Sequence, residues 1–433
     1  MTGIPVIIEH WGMADLLSTI RELEHLSSDF PGEAAGAGRP EKTAVSRSPV
    51  VKLVNSIIAC AVEENASDIH IEPAENGMRI RYRIDGLLRE IVNLPEKAKQ
   101  PLISRLKILS NMDIAEKRKP QDGRFHVKYR NVTVDLRVST MPNIFGEKAV
   151  IRLLDKSSRF MEINQLGFSK KNHEAFMNIL KHSHGMLLLT GPTGCGKTTT
   201  LYAALNEMNS LDKNIVTIED PVEYILEGVS QTQVHPKAGL TFAVGLRSIL
   251  RQDPDVIMVG EIRDAETAEI AMRAASTGHL VLTTLHTNDA AGALTRLIDM
   301  GVEPFLVASS VLGVVAQRLV RVICPHCKEP CEPPGGAEER AFLSAAGGAT
   351  AILYRGKGCT YCGHTGYRGR TGIHEIVTVT KKIRELIHGK RSSDEIKEQA
   401  VREGAITLKR DGLEKVLKGL TTVEEVMRVA YGE

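Results

Sequence analysis

Aromatic side chains are scarce in this 433-residue chain: Phe, Tyr and Trp together make up 4%, and Trp11 is the single tryptophan. A protein that grips unpaired bases needs aromatic platforms, so this scarcity argues against a single-strand nucleic-acid binder. Net charge is missing too. Lys and Arg number 55 against 53 Asp and Glu, leaving +2. That excludes a basic nucleic-acid packager and an acidic disordered chain, though not a local basic groove. No apolar run reaches the length of a membrane span. The longest weakly polar stretch, Phe305 to Ala316, ends at Gln317 and Arg318. The opening MTGIPVIIEHW lacks a basic region followed by an apolar core and a small-residue cleavage site. These absences predict a cytoplasmic protein that reaches a membrane only through partners.

What is present is ordinary in bulk and specific in detail. Apolar residues make up 42% and charged residues 25%, enough for real cores, and the length suggests about three domains. Five of the seven cysteines fall between Cys324 and Cys362. Such clustering points to a local metal site and not to a disulfide framework.

Residues 1–30 read as a short strand or helix pair with little core, and 31–42, PGEAAGAGRPEK, as a linker. From Ser48 to about Asp155 the pattern mixes a helix, with apolar Val51, Val54, Ile58 and Ala61, and period-two stretches. Ile80, Tyr82 and Ile84 alternate with Arg79, Arg81 and Arg83, which predicts a half-buried antiparallel sheet in an α+β domain. From about 160 to 320 the runs MLLLTG, NIVTIED, VIMVGE and LVLTTLH are apolar throughout and end in polar residues. Strands buried on both faces predict a mostly parallel sheet in an α/β domain. The tail, 374–433, reads as short helices, with a capping box at Ser392 and a similar start at Thr421.

The sequence GPTGCGKTTT fits G-x-x-x-x-G-K-[ST], with Gly191, Gly196, Lys197 and Thr198 at the fixed positions. A strand precedes it and a helix follows. Backbone N–H groups of such a loop wrap phosphate oxygens, and the helix N-terminus adds positive potential. The residues Gly191, Pro192, Thr193, Gly194, Cys195, Gly196, Lys197, Thr198 and Thr199 are therefore the predicted ATP-binding stretch. Lys197 is expected on the β and γ phosphates and the Thr198 hydroxyl on Mg²⁺. Cys195 reads as incidental, because mainly backbone matters there.

Strand tips of open α/β sheets face the ligand crevice. Glu261 ends one such strand, preceded by Gly260 where an Asp is usual, and is expected to hold the Mg²⁺ water shell or polarise water. Glu219 and Asp220 end another, and His279 and His286 bracket a third. Arg247 and Arg251, four apart, share a helix face. They suit polyphosphate, in this chain or a neighbour's, or else pair with Asp253 or Asp255.

Cys324-x-x-Cys327 and Cys359-x-x-Cys362 are two knuckles among turn-forming residues. Four thiolates from two hairpins predict a tetrahedral, closed, structural Zn²⁺ site, with Cys331, His326 and His364 outside it. Cys60 reads as core.

Taken in order, GPTGCGKTTT, TIEDPVEY, LRSILRQDPDVIMVGEIRDAETA, TGHLVLTTLHTNDA, QRLVR and the paired knuckles strongly resemble the secretion ATPases of type II secretion and type IV pilus assembly systems. ASDIHIEP, YRIDG, DIAEKRKPQDGR and DLRVSTMPNIFGEKAVIRLLD resemble the domain that precedes the core in that family, and the likeness covers about 46–433. The resemblance implies a short segment and linker (1–45), an α+β, PAS-like domain (46–158), a RecA-like P-loop ATPase core (159–321), a zinc subdomain (322–373) and a helical C-terminal region (374–433). It implies that Glu219, Glu261, Lys197 and His286 are catalytic, that His279 joins His286, and that Arg137 and Arg152 reach nucleotide phosphates from the N-terminal domain while Arg247 and Arg251 do so from the core. It further implies a homohexamer at the inner membrane, docked to a platform protein and a cytoplasmic recruitment partner and driving pseudopilus or pilus assembly. The knuckles mark an extension-type motor. The competing reading is a RecA-like nucleic-acid-translocating ATPase, prompted by the shared core and the basic stretch EKRKP at Glu116 to Pro120.

Overall fold

Alternation of apolar and charged residues builds the first half of the chain, and continuous apolar runs build the second. In the computed structural model the described residues are 6–8, 13–25, 48–130, 132–155, 161–332, 336–344 and 352–430. They form two compact units, Met1–Arg159 and Phe160–Glu433. The expected linker at 31–42 lies outside the described residues.

The first unit is a seven-stranded sheet. Its strands are β1 (Val6–Ile8), β2 (Asp68–Ala74), β3 (Gly77–Ile84), β4 (Leu87–Leu94), β5 (Gln121–Tyr129), β6 (Val132–Asn143) and β7 (Gly146–Asp155), in the order β1-β5-β6-β7-β2-β3-β4. β1 runs parallel to β5, and all other pairs are antiparallel. Ile80, Tyr82 and Ile84 face the core, as their alternation predicts, and the intervening arginines face away. The helix Pro49–Glu63 starts on a proline, whose missing N–H costs nothing there. It buries Leu53, Val54, Ile57, Ile58 and Ala61 along one face. Its partners include Ile69, Tyr82, Leu106 and Leu136, and the Tyr82 hydroxyl donates to the Ile57 carbonyl at 2.6 Å. Cys60 is core, as read.

The second unit carries a seven-stranded, mainly parallel sheet. Its strands are β8 (Gly185–Thr190), β9 (Ile215–Glu219), β10 (Ser230–Gln233), β11 (Val256–Val259), β12 (Leu280–Leu285), β13 (Val311–Ile323) and β16 (Tyr367–Thr378), ordered β10-β9-β11-β12-β8-β13-β16. Only β16 is antiparallel, against β13. Every residue of β8, β9, β11 and β12 is buried, which explains their unbroken apolar runs. Side chains alternate between two cores. Met186 and Leu188 pack with helix Phe242–Ile249 and helix Ala265–Ser276. Leu187 and Leu189 pack with helix Lys197–Met208 on the opposite face. The knuckles form an excursion between β13 and β16 that contains the short pair β14 (Lys328–Cys331) and β15 (Leu353–Gly356).

The tail differs from the sequence reading at its start. Residues 374–378 continue β16, and the helices begin at Lys381. The backbone donors and acceptors of 374–378 are taken by the core strand β13, a pairing that local helix signals do not carry. Further on, the Ser392 side chain caps its helix as expected. Glu425 in helix Val423–Ala430 anchors the tail. It is buried and accepts from Arg321 at 2.6 Å and from Arg428 at 2.9 Å, while Arg321 stacks on Tyr367.

Burial alone would raise the Glu425 pKa, but the two guanidinia outweigh it and hold it down from 4.5 to about 2. A depressed carboxylate stabilises fully above its unfolded value and loses that contribution as pH falls through its folded one. Denaturant unfolding of the chain and of Glu425→Gln is therefore expected to differ by roughly 3 kcal/mol at pH 6, shrinking toward zero between pH 4.5 and 2. A constant difference across that range contradicts the clamp.

Candidate functional site

The loop after β8 holds three glycines in the left-handed region, Gly191, Gly194 and Gly196. At two of them the space is as decisive as the angle. A Cβ at Gly191 would lie 2.5 Å from the Gln317 carbonyl, and one at Gly196 would lie 2.9 Å from the Gln317 amide nitrogen. The loop is thus moulded onto β13. Gln317 donates to the Cys195 carbonyl at 2.7 Å and accepts from the Thr200 hydroxyl at 2.7 Å, both buried. Arg318, 6% exposed, donates to the Asn288 carbonyl at 2.8 Å. Neither residue was assigned a role from the sequence, although both lie in the QRLVR stretch that carried the family likeness.

Lys197 opens the helix and folds back. Its ammonium, 8% exposed, donates to Gly191 O at 2.6 Å and Pro192 O at 3.1 Å. Burial pushes its pKa down, and the nearby Glu261 carboxylate works the other way. Thr193, Gly194 and Thr198 are exposed on the open side, and Cys195 is buried.

Threonines lock the neighbouring strand tips. The Thr190 hydroxyl meets the Thr287 hydroxyl at 2.7 Å and accepts from the Thr287 N–H at 2.8 Å, joining β8 to the end of β12. Thr284 donates to Gly260 O at 2.8 Å, joining β12 to β11. These ties bring Glu261 and His286 together, with His286 Nε2 3.4 Å from Glu261. Burial would raise the Glu261 pKa, but Arg263 at 2.5 Å, helped by His286, holds it below the usual range. Glu261 is therefore an ionised carboxylate in the same electrostatic field as Lys197. Arg263 also reaches Asp220 at 3.3 Å, so one guanidinium bridges two strand tips. The sequence reading did not single it out, although it stands two residues after Glu261.

Other expected members are placed differently. Glu219 is 3% exposed and inward. One oxygen accepts from the Tyr202 hydroxyl, and the other from Thr217 at 2.6 Å and Gln231 at 3.0 Å. Burial, then Glu219, pushes the Tyr202 phenol up. His279 precedes β12 and His286 follows it, so the two histidines stand at opposite ends of one strand. His279 faces the Ala274 carbonyl at the end of helix Ala265–Ser276. The expectation that both histidines converge at the loop is corrected: His286 lies at the carboxyl ends of the strands with the loop, and His279 lies at the other end of β12. Arg247 pairs with Glu266 at 2.5 Å, not with Asp253 or Asp255, and Arg251 donates to Arg247 O at 2.8 Å. The expectation that the two arginines share a helix face is corrected: Arg247 is on helix Phe242–Ile249, whereas the helix ends at Ile249 and Arg251 stands in the turn after it. That helix packs on the face of the sheet opposite the P-loop helix. In the first unit, Arg137 and Arg152 lie opposite each other on β6 and β7, and Arg152 meets Asp68 at 3.1 Å. The EKRKP stretch is partly self-neutralised, with Arg118 on Glu116 at 3.2 Å.

The four knuckle sulfurs of Cys324, Cys327, Cys359 and Cys362 lie within 4.8 Å of one another. Three separations are 3.9, 3.8 and 3.8 Å. Four sulfurs about 2.3 Å from a tetrahedral zinc must be roughly 3.8 Å apart, so the residues fit that ion. Although burial pushes the Cys362 thiol up, N–H groups of Cys359 and Gly366 at 3.2 and 3.3 Å pull it down to about 6, favouring the thiolate a metal needs. Cys331, His326 and His364 stand outside the cluster, as expected.

Comparison with known proteins covers almost all of the chain. The family model described as Type II/IV secretion system protein matches residues 43–428. The Type II secretion system ATPase E of Vibrio cholerae is 52% identical over 382 residues, which is 88% of this chain and 75% of that protein. The Type IV pilus assembly ATPase PilB of Thermus thermophilus is 50% identical over 406 residues, covering 94% of this chain and 46% of that one. Among solved structures, the pilus retraction motor PilT with bound ADP superposes with a TM-score of 0.55 at 27% identity, covering 85% of this chain and 94% of that one. A match running unbroken through the loop, the strand tips and the knuckles leaves one assignment: the chain belongs to the type II/IV secretion system protein family and is an ATPase of it.

Proposed function

We propose that the chain is the subunit of a homohexameric motor that hydrolyses ATP to drive pseudopilus or pilus assembly. The observation that carries the reading is the meeting of Lys197, Glu261 and His286 at the carboxyl ends of β8, β11 and β12. Residues 191–199 would cradle the phosphates with their N–H groups. Lys197, now satisfied by loop carbonyls, would exchange them for β and γ oxygens. The exposed Thr198 hydroxyl is the ligand expected for Mg²⁺, which neutralises phosphate charge. Glu261, ionised, would accept a hydrogen bond from the attacking water. His286 and Arg263 hold that carboxylate in place. Glu219, its oxygens already occupied, would act through Tyr202 on the P-loop helix and steady it, while Asp220 orients Arg263.

The arginines extend the proposal beyond one core. Arg137 and Arg152 would bring charge to the phosphates from the first unit. Arg247 and Arg251, across the sheet from the loop, suit a neighbouring subunit's nucleotide. Arginine supplied by a moving part can change turnover by about 10³–10⁵, so hydrolysis would be gated by closure. Among the described residues no helix is long and apolar enough to cross a membrane. In this reading the motor attaches peripherally to the inner membrane, from the cytoplasmic side, through a platform protein and a recruitment partner, as its relatives' secretion and pilus systems suggest. The knuckles would hold one structural Zn²⁺, a closed site with no open position for chemistry.

Lys197→Ala is expected to abolish turnover and Arg152→Ala nearly to do so, both folded, and turnover per subunit to rise steeply with concentration in step with hexamer mass. A substantial rate in a monomer would refute the ring mechanism. Gln317→Leu, close in volume, removes the buried hydrogen bond that braces the Cys195 carbonyl of the loop, with the one from Thr200 on the helix after it, and weakens ADP binding about tenfold, on the order of one hydrogen bond's net value, as read by calorimetry. Cys359→Ser loses the zinc by elemental analysis and lowers the first melting transition, while ADP binding persists. Unchanged metal content would show that the knuckles are not the zinc site.

A further inference from the structure

The residues His286 to Ala290 lead from the end of β12 into helix Ala290–Asp299. Each is held by a different part of the second unit. His286 lies 3.4 Å from Glu261. Thr287 is bonded through its N–H and its hydroxyl to Thr190, the residue before the P-loop. The Asn288 carbonyl accepts from Arg318 of β13 at 2.8 Å. The Asp289 carboxylate accepts from Lys397 at 2.8 Å. The Ala290 N–H donates to Glu375 of β16 at 3.1 Å. These residues form a short strap, and its first member touches the carboxylate at the strand tip.

Three of the holds, from Thr190, Arg318 and Glu375, come from strands of one sheet and move only with it. The hold on Asp289 is of another kind. Lys397 belongs to helix Ser393–Arg402 of the tail. Its side chain is 37% exposed and that of Asp289 is 27% exposed, so the pair can open without parting any strands. Beside it lies a cavity of about 350 Å³, lined by Asn288, Asp289, Arg318, Glu375, Lys397 and Lys409, which gives both side chains room to separate. Burial would lower the Lys397 pKa, but Asp289 and Glu375 outweigh it and push it up, so the ammonium stays charged. The other Asp289 oxygen caps the helix, accepting from the Gly292 N–H at 2.8 Å. A pull on this carboxylate is therefore a pull on the helix start and on the strap leading into it. The tail meets the same place again at Glu375, whose second oxygen accepts from the Leu408 N–H at 3.3 Å.

We propose that Lys397 is a positioning residue for hydrolysis: through its ion pair with Asp289 the tail sets the strap that carries His286, and with it the Glu261 carboxylate. This rests on the reading of Glu261 and His286 as members of the reacting site. The P-loop has supports of its own, the Gln317 bond and the fold-back of Lys197. The latch therefore bears on turnover and not on nucleotide binding. A subunit whose tail has let go of Asp289 would keep its nucleotide and hydrolyse it slowly.

The test uses the full chain. Lys397→Met keeps the stem and removes the charge. It is expected to lower kcat about tenfold, a fraction of what misplacement near the chemistry can cost, while ADP affinity by calorimetry changes less than about twofold. Lys397→Arg, which retains the charge, restores most of the turnover. Asp289→Asn keeps the helix cap, since Asn caps as well as Asp, and slows turnover as Lys397→Met does. The double variant is no slower than either single one, because both remove the same contact. Losses that multiply, full activity in Lys397→Met, or an equal loss of ADP affinity each overturn the proposal. Half-exposed ion pairs add little to stability, so the melting temperature is expected to stay near that of the unaltered chain. A fall that tracks the lost turnover assigns a structural role and overturns the proposal too. Glu261→Gln separates the parent reading. If it loses turnover while Lys397→Met does not, only the latch is wrong. If it turns over normally, the reading of the site fails and the latch fails with it.

Discussion

A buried ammonium held by two carbonyls is the contact on which the nucleotide site depends. Lys197 cannot leave its charge in a dry pocket without oxygen partners, and it finds them on Gly191 and Pro192. That fold-back fixes the curl of the loop. The curl in turn forbids side chains at Gly191 and Gly196, because Gln317 stands against both. The loop therefore rests on β13 as much as on the strand that leads into it. A phosphate entering the loop would meet donors already aimed and a lysine already oriented, which keeps the reorganisation small.

Around this contact the charges are paired in a chain. Arg263 joins Asp220 to Glu261, and Glu261 faces His286. Each link lies at the carboxyl end of a parallel strand, and threonine hydroxyls tie those ends together. Parallel order is the reason. Strands that run the same way deliver their last residues to the same edge, so distant segments become neighbours without any being adjacent in sequence.

That geometry also explains what could be read in advance. The P-loop, the two sheets and the four zinc-spaced cysteines were legible, because each is written in residue type and local spacing. Glu261 and His286 were legible as strand tips. The closed network around Glu219 was not, since Tyr202 and Gln231 reach it from a helix and a strand that the sequence does not mark as its neighbours. His279 was misplaced because a pattern of a strand bracketed by histidines does not say which end faces the ligand. Arg247 found Glu266 rather than a nearer aspartate, because packing of two helices outweighed proximity along the chain.

The knuckles enter the second unit between two strands that are already hydrogen-bonded neighbours. β13 leaves the sheet at Ile323 and β16 returns at Tyr367, and these two residues are paired with each other. Cys324 donates its N–H to the Gly366 carbonyl at the neck. The whole excursion is topologically an overgrown hairpin turn. Its removal would leave β13 and β16 beside each other and the P-loop brace on β13 in place. It would not be free, because Phe342, Leu343 and Leu353 of the excursion are buried in the same core as the sheet. The excursion is therefore separate in topology and continuous in packing: a change of its length costs the sheet no strand pair, whereas a change of its apolar residues is felt by the core.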